Sequence, residues 1–90
     1  MTDAIKLNKE VTKGKKAETI LEDELFKEAI GALKVNYMNQ IINTSYKDSD
    51  GRTAIWIAIH QLDKVHNHLT ELMNTGKLAS KQLEEIKNQK

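Results

Sequence analysis

His60 and Asp63 stand three residues apart, in a run that also carries His66 and His68. On a helix that spacing brings an imidazole and a carboxylate to one face, and these are donor types a transition metal takes. A metal site needs several donors converging on one point. Here only His60 and Asp63 share a face, so no metal and no cofactor is expected. The bland reading of the three histidines is a hydrogen-bonded, partly buried His66 with His60 and His68 in solvent. An imidazole at an interface would also make that interface pH-sensitive near neutrality.

Other constellations yield less. Asp48-Ser49-Asp50-Gly51 has the look of a calcium loop. Aligning its glycine with that of an EF-hand puts Tyr46 at the first ligand position and Ile57 where a bidentate glutamate belongs. A capped helix start explains the run better. Glu18, Glu22, Asp23, Glu24 and Glu28 form an acidic cluster, but adjacent carboxylates on a helix point in different directions. No nucleophile is paired with a base and no glycine-rich loop precedes a helix, so enzyme activity is not expected. Lys6, Lys9, Lys13, Lys15 and Lys16 crowd into residues 6–16 without an aromatic among them. Such a segment contacts phosphates and does not read bases, adding salt-dependent affinity for DNA. A solubilising tail is the plainer alternative.

The elements that must position these groups follow from apolar periodicity. Ile55, Ala58, Ile59, Leu62, Val65, Leu69, Leu72 and Met73 recur every three or four residues and predict a helix over 49–75. Gly76 is expected to close it as a left-handed cap. Positions 55, 62, 69 and 58, 65, 72 also fit a coiled-coil seam. A first helix is expected over 16–43, on the stripe Phe26, Ala29, Ile30, Leu33, Tyr37 and Ile41. Residues 44–50 make the turn, with Asp48 or Ser49 capping the second helix. A third, short helix over 79–87 would fold Leu78, Leu83 and Ile86 back on the hairpin, with Lys87 to Lys90 frayed. Residues 1–15 show no sustained period and contain Gly14, so a flexible basic arm is expected there.

Two long helices joined by a short turn lie antiparallel. Val35, Met38 and Ile42 then fall roughly 120–180° around from Phe26, and Trp56 and Ile57 fall off the main stripe of the second helix near the same turn. Apolar surface left uncovered at one end of a hairpin marks an interface. Val35, Met38, Ile42, Trp56 and Ile57 are therefore expected to join copies of the chain.

Ninety residues bound the chain to one domain, which at this size gains stability by self-association. It has no cysteine and no proline. No apolar run reaches the ~20 residues of a membrane span and the N-terminus lacks the apolar segment of a signal peptide, so a soluble protein is expected, cytoplasmic in a bacterial or infected host cell, without a membrane partner.

From Ala17 onward the chain resembles a family of small helical proteins encoded in phages and prophages. The resemblance rests on Ala17-Glu18-x-Ile20-Leu21, Phe26, Tyr37, Thr44, Asp48, Arg52, Trp56, Leu62-Asp63-x-Val65, His68-Leu69 and Thr75-Gly76-Lys77-Leu78-Ala79. It brings no assigned activity with it. In size, hairpin character and basic segment the chain is also similar to small terminase subunits, helical proteins that assemble into rings and help select viral DNA; it lacks their recognisable DNA-binding domain. The expectation is an all-α hairpin, oligomeric and non-catalytic: a phage-type assembly or DNA-packaging accessory protein, touching DNA through its lysines or meeting another phage protein. The alternative is a protein-binding helical adaptor with no nucleic-acid role.

Overall fold

The computed structural model describes residues 2–89, and every regular element among them is an α-helix: α1 Thr2–Glu22, α2 Glu24–Asn43 and α3 Ser49–Asn88. The molecule is a rod of 68 × 25 × 14 Å. α3, at 40 residues, is about 60 Å long at 1.5 Å per residue and so spans nearly the whole rod. α1 packs along its C-terminal half and α2 along its N-terminal half. The direction is antiparallel: Gly14 faces Gly76, Lys34 meets Asp63, and Ile41 lies beside Trp56, so numbers rise on one side as they fall on the other.

The helical divisions differ from those the large apolar residues suggest. The segment expected as a flexible arm, residues 1–15, is helical from Thr2 onward, and Gly14 does not interrupt it; Met1 lies outside the described residues. Ala4, Leu7, Val11, Gly14, Glu18 and Leu21 turn inward at intervals of three and four, a heptad pattern in which small and polar side chains replace half the large ones. Gly76 likewise does not end a helix. No glycine has positive φ, and the series Ile55, Leu62, Leu69, Gly76, Leu83 runs on at intervals of seven. The separate helix expected over 79–87 is thus the tail of α3. Lys87 and Asn88 belong to it, Gln89 caps it by donating its N–H to the Ile86 carbonyl at 3.2 Å, and Lys90 lies outside the described residues.

The two glycines are where the helices touch most closely. A Cβ on Gly14 would stand 2.7 Å from the Gly76 Cα and 2.9 Å from the Leu72 carbonyl oxygen, and one on Gly76 would stand 2.8 Å from the Gly14 Cα and 2.9 Å from the Glu10 carbonyl oxygen. One turn further along each helix, Ala17 and Ala79 are 2% and 1% exposed, and these two alanines are the only hydrophobic residues fully buried among the described residues. Glycine within a helix costs about 1 kcal/mol relative to alanine. Here that cost is offset by bringing two backbones into van der Waals contact.

The expected helix over 16–43 is two helices. The chain breaks at Asp23, whose backbone is extended and whose carboxylate accepts from the Phe26 N–H at 2.8 Å, so that it caps α2. At the other end the turn is held tightly. Asp48 accepts from the Gly51 N–H at 2.9 Å, as an N-cap does, and the Arg52 guanidinium donates to the carbonyls of Ser45 at 2.7 Å and Tyr46 at 3.1 Å. The α2–α3 half is more loosely closed. Phe26, Ile30, Tyr37 and Ile41 turn inward, but Ala29 and Leu33 are exposed, as is Val65 opposite them. At these positions the expected stripes do not become core, because a single helix facing a single helix covers only a narrow seam. No helix among the described residues is long and apolar enough to cross a membrane.

Candidate functional site

The turn half carries most of the exposed large apolar residues, with Ile5, Ile20, Leu78 and Ile86 exposed along the other half. Val35, Met38, Ile42, Trp56 and Ile57 are all more than half exposed, with Ile42 at 75% and Trp56 at 56%. Helical geometry places Val35, Met38 and Ile42 on the outer side of α2, together with Gly31, at intervals of four, three and four. Trp56 lines a shallow open depression with Ile41, Ser49, Arg52 and Thr53, at the junction of α3 with the C-terminal end of α2. The His60 ring meets it edge to face, 4.6 Å between centroids at 84°. Tryptophan is among the residue types enriched at the anchoring positions of protein interfaces.

The groups that suggested metal chemistry are occupied otherwise. Lys34 of α2 donates to the Asp63 carboxylate of α3 at 2.7 Å, while the His60 ring rests on Trp56. His66 is exposed and not partly buried, and His68 is exposed too. The acidic cluster disperses: Asp23 caps α2, Glu24 lies 3.5 Å from Lys27, and Glu18 reaches across to Lys77 of α3 at 3.9 Å. Among the described residues no three of His, Cys, Asp or Glu gather where one cation could bridge them.

Lys34 also sets the titration of Asp63. Its hydrogen bond holds the carboxyl below the ordinary value against partial desolvation, with its charge and those of His60 and His66 acting in the same direction. A depressed folded value means that the pair's contribution to stability is complete above the unfolded value of about 4 and is lost as pH falls through the folded one. In Lys34→Ala the Asp63 midpoint, read from its carboxyl carbon by NMR, is expected to rise toward the ordinary value; an unchanged midpoint would show that Lys34 is not its cause.

The lysines sit at the opposite end of the rod. Lys6, Lys9, Lys13 and Lys16 follow one another at three, four and three residues along one exposed face of α1, with Lys15 on another face. Lys9, Lys13 and Lys16 line an open trough with Ile5, Asn8 and Thr12. Lys6 also borders a second trough in which Asp3, Glu10 and Glu85 are carboxylate neighbours. A stripe fixed on a helix presents its charges at set intervals, which a mobile arm does not.

Large-residue periodicity missed the close crossing of Gly14 and Ala17 with Gly76 and Ala79. The signal that finds it is the sevenfold repeat continued through glycine. No protein-family model, curated protein or solved structure matches the chain.

Proposed function

We propose that this protein is a non-catalytic, self-associating helical rod of the phage assembly or DNA-packaging accessory kind, joined to further copies through its turn half and touching DNA with its lysine-bearing end. The observation that carries the reading is the uncovered apolar surface of a chain with almost no core of its own. Its accessible surface is 7172 Å². A folded monomer of 10.3 kDa exposes about 5,400 Å² on the usual scaling. The excess, roughly 1,800 Å² of total surface on an elongated rod, leaves room for the ~800 Å² that one partner contributes to an ordinary stable interface. The phage setting is supported by the sequence resemblance alone. The engagement of His60, Asp63, Glu18, Asp23 and Glu24 in packing, capping and ion pairs favours a structural role over catalysis.

The test has two parts. Light scattering behind size exclusion, over a range of loading concentrations, is expected to give a mass that is a multiple of the chain. A single-chain mass throughout would move the reading to an adaptor that docks a different protein on Trp56. Binding to duplex DNA is expected to weaken steeply with salt. Replacing Lys6, Lys9, Lys13 and Lys16 together with alanine should flatten the log–log salt slope by roughly 3–4, and an unaltered slope would remove DNA contact from the stripe.

A further inference from the structure

Resting on the self-association reading above, we propose that the partner is a second copy of this chain docked antiparallel through the outer face of α2, with Ile42 of each copy seated on Gly31 of the other. Gly31 points to this contact. A Cβ there would meet nothing within 4 Å, whereas Gly14 and Gly76 let two backbones touch and Gly51 leaves room for the Asp48 cap. Gly31 therefore weakens the interior of α2 without relieving any crowding within the chain. Its face continues as Val35, Met38 and Ile42, all exposed.

Read against itself in the opposite direction, that face is self-complementary. Gly31 comes opposite Ile42 and Val35 opposite Met38, small against large at each step. Glu24 and Glu28 flank the glycine end, and Lys47 lies just past the isoleucine end, all three exposed. Antiparallel pairing brings Lys47 of each copy toward Glu28 of the partner subunit, beside the Glu24–Lys27 pair. Parallel pairing instead sets Gly31 on Gly31 and leaves a void, sets Ile42 on Ile42, and opposes Glu28 to itself. Trp56, beside Ile41 at the turn, would lie next to Gly31 of the partner subunit and cover it. The arrangement is a two-fold dimer, the form that closed association of identical chains most often takes, and it leaves the lysine stripes pointing away at both ends.

The chain has no cysteine, so single cysteines can report the pairing. Gly31→Cys chains mixed with Ile42→Cys chains are expected to form a disulfide-linked dimer under mild oxidation, while Ile42→Cys alone forms none. In the antiparallel dimer two copies of residue 42 lie about 16 Å apart along the axis, beyond disulfide reach. Gly31→Leu should weaken dimerisation at least about tenfold, since overpacking costs enough for that change; helix content by circular dichroism shows that the variant still folds. Rapid linking of Ile42→Cys to itself would overturn the proposal in favour of parallel pairing. A wild-type dimer that gives no mixed link and is indifferent to Gly31→Leu would overturn this face while leaving self-association intact. A wild-type monomer at every concentration would overturn both.

Discussion

Replacing Gly76 with alanine is expected to destabilise the protein by about 2 kcal/mol, and replacing it with leucine by more than about 3 kcal/mol, with the matching changes at Gly14 doing the same. The added Cβ meets the Gly14 Cα and the Glu10 carbonyl oxygen. Those are backbone atoms, which cannot rotate aside as a side-chain tip can, so the helices must part. Parting them exposes Ala17 and Ala79, the most deeply buried side chains. At about 4–8 °C per kcal/mol for a domain of this size, the alanine change should lower the melting temperature by roughly 8–16 °C. The sign is what decides the matter. In a helix free of close neighbours, glycine to alanine stabilises by about 1 kcal/mol, and Gly31→Ala, with no neighbour to meet, should do so in dilute solution. Melting curves of the alanine variants settle this, and a rise at Gly14 or Gly76 would mean that the helices do not cross there.

Trp56→Ala is expected to weaken self-association by about thirtyfold, the effect of losing an aromatic anchor worth around 2 kcal/mol. The fold should respond less, because the indole is 56% exposed, its aromatic neighbour His60 is on the same helix, and Ile41 is the one α2 residue beside it in the open depression. Sedimentation equilibrium gives the dissociation constant, and melting of dilute samples gives the stability. An unchanged dissociation constant would place the contact elsewhere. A large fall in the stability of the dilute chain would mean that Trp56 serves the hairpin itself.

Much of the open half is legible in the sequence, because large apolar residues and turn chemistry define it. The stripe from Ile55 to Met73, Val65 excepted, and the exposure of Val35, Met38, Ile42, Trp56 and Ile57 follow from spacing and residue type, which also narrow the cap to Asp48 or Ser49. The closed half is not, for a physical reason. Where two helices come close enough for backbone to touch backbone, the residues that pack are the smallest, and Gly14, Ala17, Gly76 and Ala79 carry no hydropathy signal. Read one at a time, the two glycines look like breaks. Read at intervals of seven from Leu7 or from Ile55, they are positions of the seam. The division at Asp23 is hidden for a related reason: one aspartate capping Phe26 ends one helix and begins the next with no loop to mark the place. The lysines were legible as a basic cluster, but their alignment as a stripe depends on the helix that the small residues make.

Hydrogen exchange read residue by residue at two protein concentrations tests the central claim most directly, that the rod is closed at the glycine crossing and completed by a second copy at the turn half. The amides around Gly14 and Gly76 should exchange slowly at both concentrations. Those from Gly31 to Ile42 should exchange quickly when dilute and slow markedly when concentrated. Fast exchange around Gly14, or protection of α2 that does not change with concentration, would contradict the account.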